Sequence, residues 1–110
     1  YFYFILSEIE KHGLIEGVLS AVREIKEKFN FSSINAMLMT DSQFITICEH
    51  DSARKPEWAV DGYYDLYYKF NDGDLVVASS GWDQAGWINL PNHHVLVVDR
   101  ATLNQQVLAL

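Results

Sequence analysis

The sequence predicts an α+β fold in one compact domain over residues 1–110, with two amphipathic helices at the N-terminal side followed by a mostly antiparallel sheet. Three observations carry this. Apolar residues recur at helical spacing up to Phe29, the pattern turns strand-like after "NFSS", and an Asp-Gly turn at Asp72-Gly73 joins two strand-like runs. The order of two helices and then strands argues against alternating βαβ units.

Phe2, Ile5, Leu6 and Ile9 fall at i, i+3, i+4 and i+7, which places them on one face of a first helix, and Gly13 supplies its stop. A second helix carries Leu14, Ile15, Val18, Leu19, Val22, Ile25 and Phe29 on one side, with Glu16, Arg23, Glu24, Lys26 and Glu27 opposite. Those charges read as a solvated face with i,i+4 pairs. "INAMLM", Ile34 to Met39, is apolar on both alternating faces, and "TDSQ" turns it into "FITICEH", Phe44 to His50. A strand apolar on both sides needs cover on both sides, so helices on one face and a second sheet on the other are expected.

The segment "DSARKPEWAVDG", Asp51 to Gly62, reads as a surface excursion. "YYDLYYKF" and "DLVVASS" then form a second hairpin around Asn71-Asp72-Gly73-Asp74, where glycine supplies the positive φ of a tight turn. An aromatic loop follows. Strands at Val95–Asp99 and Gln105–Leu110, joined by the turn "RATLN", complete the sheet.

Size and charge narrow the function. A chain of 110 residues is enough for one core, since domains cluster near about 100–150 residues. Its net charge of −7 repels a phosphate backbone or an anionic bilayer, so neither nucleic acid nor membrane is an expected partner. The apolar start lacks a basic n-region and a small-residue cleavage site, and the lone cysteine, Cys48, has no partner for an internal disulfide or a CxxC zinc site. Both point to the cytoplasm. The chain begins at Tyr1 inside a periodic apolar pattern without a capping residue ahead of it, so the true N-terminus is expected upstream.

The reactive groups are sparse. Cys48 lies mid-strand among Phe44, Ile45 and Ile47, where a thiol is an inert small hydrophobe. His93 and His94 are adjacent, and strand neighbours point to opposite faces, so a turn and strand-entry role is favoured over a shared metal. His12 and His50 stand at element ends with no second ligand at helical or hairpin spacing. Asp61, Asp65, Asp72, Asp74 and Asp83 are scattered through loops and read as turn formers. "ASSGW" lacks the GxSxG pattern of a nucleophile elbow. Trp58, Trp82 and Trp87, with Tyr63, Tyr64, Tyr67 and Tyr68, either line an interface or fill the core. From the residues themselves no catalytic, cofactor-binding or metal-binding residue is assigned.

The order of motifs is more specific. "SSINAMLMTDSQFITICEH" resembles the N-x-x-L-x-D-G hairpin of class II, N-terminal-nucleophile glutamine amidotransferase domains, in their branch of small stand-alone predicted amidotransferases. "LYYKFNDGDLVVASSGWDQAGWINLPNHHVLVVDR" is similar to the same branch's strand, turn and strand ending in Val-Ala-Ser, its loop with a Gly-Trp or similar pair, and its v-P-x-x-x-l-l-v-v-d strand. The two leading helices match as well. The resemblance runs from Tyr1 to Val107 and covers the second half of the family domain. It departs at Ser42, where the family has glycine, and at Ala78-Ser79-Ser80-Gly81, where the family often has Ala-Ser-Glu-Pro or Ala-Thr-Gln-Pro.

This resemblance implies half of an αββα sandwich, the C-terminal part of a single amidotransferase-like domain. In that family an N-terminal Cys attacks the glutamine side-chain amide, its α-amino group is the base, an Asn-Gly pair forms the oxyanion hole, and an Arg and an Asp hold the substrate's α-carboxylate and α-amino groups. None of these maps onto residues 1–110. The expected role is therefore scaffold: a parent protein releases ammonia from glutamine, needs no cofactor, and this chain alone is inactive. Its expected partners are the missing N-terminal half and, where the apolar face is left open, a second copy of itself. The alternative is a complete non-catalytic α+β module that binds a ligand or protein through the aromatic loops of residues 58–87.

Overall fold

The computed structural model describes residues 1–79 and 85–110. They form two compact units, a helical one over residues 1–30 and a β-rich one over residues 31–109. The fold is α+β, with two helices and, among the described residues, seven antiparallel strands in two sheets.

In the helical unit, α1 (Phe2–His12) and α2 (Leu14–Lys28) are joined by Gly13 alone. Gly13 has φ 89°, a conformation that a side chain disfavours, and its N–H caps α1 by donating to the Ile9 carbonyl at 2.8 Å. The helices cross in intimate contact at Gly17, where a Cβ would stand only 2.4 Å from Ile9 Cα. Ile5, Val18, Leu19 and Val22 of the predicted stripes are buried, and so is Ala21, which those stripes did not include. Phe2, Leu6 and Phe29, expected on the same stripes, are exposed; Phe29 lies past the end of α2 in extended backbone, where helical spacing no longer governs it.

In the β-rich unit the first sheet has the order β1-β2-β6-β7, from β1 (Ala36–Met39), β2 (Gln43–Cys48), β6 (His94–Asp99) and β7 (Gln105–Ala109). The second has the order β4-β3-β5, from β3 (Leu66–Asn71), β4 (Asp74–Ser79) and β5 (Ile88–Leu90). The hairpin turns are those the sequence foretold. Thr40 Oγ1 accepts from the N–H groups of Ser42 and Gln43 at the β1–β2 turn, and Gly73 takes φ 74° at the β3–β4 turn. Asp99 Oδ1 accepts from Ala101 N, Thr102 N and Thr102 Oγ1 in the β6–β7 turn, and these bonds, led by those from Thr102, hold its carboxyl below the usual range.

The strand register explains the two layers. Cys48 of β2 and Leu96 and Val98 of β6 face the second sheet, where Leu66 and Tyr68 of β3 and Leu90 of β5 meet them in one buried cluster. Alternate residues Ile45, Ile47, Val95 and Val97 are buried on the opposite face. The expected cover of one face by a second sheet thus holds for β2 and β6. It does not hold for β1, whose Met37 and Met39 are 51% and 65% exposed, because β1 is the sheet's edge.

Candidate functional site

A group of mutually hydrogen-bonded polar residues lies where β2 ends. Glu49 continues the alternation of Ile45 and Ile47, so its carboxylate is carried inward and only 1% of it is exposed. Oε2 of Glu49 lies 2.6 Å from His93 Nδ1. A carboxylate can only accept, so Nδ1 carries the hydrogen and the pair is charge-assisted. His93 sits in the left-handed region at φ 64°, which leaves its side chain 55% exposed while the inner nitrogen is held.

Two asparagines fasten the surrounding backbone. Asn92 Oδ1 accepts from His50 N at 3.0 Å and from His93 N at 2.9 Å, while its Nδ2 donates to the His50 carbonyl at 2.8 Å. Asn35 Oδ1 accepts from Glu49 N at 2.8 Å, and its Nδ2 donates to the Tyr64 carbonyl at 2.8 Å. The ring of His50 is buried, with Nε2 3.7 Å from Asp65 Oδ1 and Nδ1 3.9 Å from Cys48 Sγ. Burial lowers the imidazole's pKa from its ordinary 6.5, against the opposing pull of Asp65 and Glu49.

Burial pushes the Cys48 thiol up to about 12, so it stays protonated at neutral pH, in keeping with its predicted inertness. His94 enters β6 with Nδ1 donating to the Asn92 carbonyl at 2.9 Å, and His93 occupies the turn before it. Among the described residues no group of three or more His, Cys, Asp or Glu side chains is placed to hold a metal ion. Among the same residues no helix is long and apolar enough to cross a membrane.

Two of the histidines have partners the sequence reading did not assign. His50 faces Asp65, 15 positions on and so invisible to local spacing. His12 Nε2 lies 3.4 Å from Glu8 Oε2 at i,i+4, a helical spacing that was there to be read. Glu8 also accepts from Ser20 Oγ at 3.0 Å and from Lys11 Nζ at 3.2 Å, and these two bonds lower its pKa. Glu8 and Glu49 were both missed as inward carboxylates. The available signal was their register with Ile5 and with Ile45 and Ile47, respectively.

The aromatic residues divide. Tyr68 is core, 5% exposed and edge-to-face with Phe70, whereas Trp58 is 71% exposed and meets Tyr63 edge-to-face at 5.2 Å. Tyr63 continues to Tyr64 at 5.2 Å, and Tyr64 to His50 at 5.8 Å. Asp61, Asp72 and Asp74 are exposed, as turn formers should be. Ser80, Gly81, Trp82 and Asp83 lie outside the described residues. No protein-family model matches the chain, and no curated protein and no solved structure matches it.

Proposed function

We propose that this chain is the scaffold half of a class II glutamine amidotransferase-like domain, whose parent protein releases ammonia from glutamine through an N-terminal Cys that lies outside residues 1–110. The observation that carries the reading is the pair of antiparallel sheets packed through Cys48, Leu66, Tyr68, Leu90, Leu96 and Val98, because two facing sheets are the inner layers of the αββα sandwich that the motif order implies. Two further features support it. The thiol this chain does hold is buried and protonated, which suits a framework role in a domain whose nucleophile lies elsewhere. The β1 edge and a cleft of about 260 Å³ beside it, lined by Met39, Phe44, Leu75 and Val77 with Asp74 and Arg100, leave room for the rest of a sandwich to add.

Ammonia release from glutamine tests the proposal when measured on the 110-residue chain and on the whole product of its reading frame. The longer product is active and loses activity when its N-terminal Cys becomes Ala, while the shorter chain is inert. Activity in the 110-residue chain, or a whole product with no such Cys, overturns the assignment.

A further inference from the structure

We propose that the turn of residues 58–65 is a docking site for an arginine side chain on a basic segment of a protein partner. Trp58, Val60 and Tyr63 are 71%, 70% and 39% exposed within six consecutive residues, a concentration of apolar surface that single exposed residues do not match. The turn holding them is built and not slack. Ala59 N donates to the Pro56 carbonyl at 3.0 Å, Tyr63 N to Val60 at 3.1 Å and Asp65 N to Gly62 at 3.0 Å, and Gly62 takes φ 77° to close it.

Trp58 and Tyr63 meet at 87°, and such an edge-to-face contact consumes at most one face of the indole. An open Trp face attracts a cation, and a planar guanidinium stacks on it better than an ammonium does. The charge around it agrees. Residues 55–65 hold three acids, Glu57, Asp61 and Asp65, against the single base Lys55, a balance of −2 within a chain of −7. The turn already gathers one cation of its own: Lys55 Nζ donates to the Ala59 carbonyl at 3.2 Å and lies 3.6 Å from Asp61 Oδ1. The Asp61 side chain nevertheless remains fully exposed, so its carboxylate keeps acceptor capacity for a second donor. Aromatic surface beside carboxylates, on an acidic chain, selects a cationic partner over a neutral or anionic one.

The site is independent of the amidotransferase reading, and its test is a different one. The 110-residue chain is titrated with a short acetylated Arg-Gly-Arg peptide and with its lysine and citrulline counterparts, following the Trp58 indole N–H and the Tyr63 ring by NMR. The arginine peptide shifts both residues, lysine binds less tightly, citrulline shifts neither, and added salt weakens the interaction. Trp58→Ala weakens binding about tenfold and Trp58→Tyr preserves most of it, as a cation over an aromatic face requires; Asp61→Asn weakens it without abolishing it. Because Trp58 is largely exposed, circular dichroism and urea midpoints of these variants stay at the parent values. Equal shifts with citrulline, unchanged binding in a folded Trp58→Ala, or no shift at Trp58 with any peptide overturns the proposal.

Discussion

Replacing Gly17 by alanine sets two physical effects of opposite sign against each other. In a helix interior alanine is favoured over glycine by about 1 kcal/mol, so propensity alone says that Gly17→Ala stabilises α2. The structure says the reverse. The new methyl would stand 2.4 Å from Ile9 Cα, 2.6 Å from Ile9 N and 2.7 Å from Glu8 C, whereas ordinary contact begins at 3.4 Å. The obstacle is backbone, which cannot swing aside, so α1 and α2 must part by about 1 Å at their crossing. Overpacking of this kind costs about 1–3 kcal/mol, and rigid obstacles belong at the upper end. Subtracting the propensity gain leaves about 2 kcal/mol of destabilisation. The same parting stretches the Ser20 Oγ to Glu8 Oε2 bond beyond 3.0 Å, whereas the Glu8–His12 pair lies within α1 and is left in place. Urea unfolding followed by far-ultraviolet circular dichroism reads the result. With a urea slope of about 1–3 kcal/mol per molar, the midpoint falls by roughly 1 M at unchanged slope. A midpoint at or above that of the parent refutes the close crossing and leaves propensity in command.

Other outcomes follow from the β-rich unit. His50 has a folded pKa below 6.5, so between that value and 6.5 the unfolded chain binds the extra proton; stability falls as pH drops through this window, and an NMR titration of the imidazole with a midpoint at or above 6.5 contradicts the burial argument. Cys48 runs the other way: its thiol moves from 9.0 to about 12, so stability is full below pH 9 and declines by up to about 4 kcal/mol as pH rises to 12, a loss that Cys48→Ala does not show. Asn92→Ala removes three hydrogen bonds to the backbone of His50 and His93 and costs about 2–4 kcal/mol, whereas Asn92→Asp keeps both acceptor bonds and costs less; equal melting of the two variants argues against the clamp. Leu96→Asp, at a fully buried position, abolishes the folded state, while Met37→Asp on the open edge changes stability by less than about 1 kcal/mol.

Most of the chain's elements could be read in its sequence because their signals are local. The helical stripes of α1 and α2, the Asp-Gly turn at Gly73 and the runs that became β6 and β7 each declare themselves within a few residues. What was not legible is what depends on distant pairing. β5 has only Ile88, Asn89 and Leu90, too few for a period, and is a strand because Leu66, Tyr67 and Tyr68 pair with it. The division into two sheets is likewise a matter of which strands pair, since β2 reaches β6 across some 50 residues. At the polar cluster, Glu49 and His93 are 44 positions apart, and neither residue type nor spacing joins them. Tyr68 and Trp58 look alike in sequence, yet strand register makes one core and the other surface.

The two ends of the β-rich unit differ in a way that bears on function. At the end of β2, the bonds between Asn35 and Tyr64, Glu49 and His93, and Asn92 and His50 bridge 29 to 44 positions. Buried polar groups carry a desolvation cost, and satisfied ones fix a single arrangement, so this end locks the start of β3 and the β5–β6 turn to the first sheet. At the other end the cleft beside β1 is lined by Met37, Met39, Phe44, Leu75 and Val77, and Met39 remains 65% exposed. Apolar side chains impose no direction on what covers them, and an unpaired edge accepts any strand of matching register. One end of the sandwich is thus specified and the other receptive. Under the proposed framework role, further strands add at β1 and the cleft, at the opposite end from the His93 cluster.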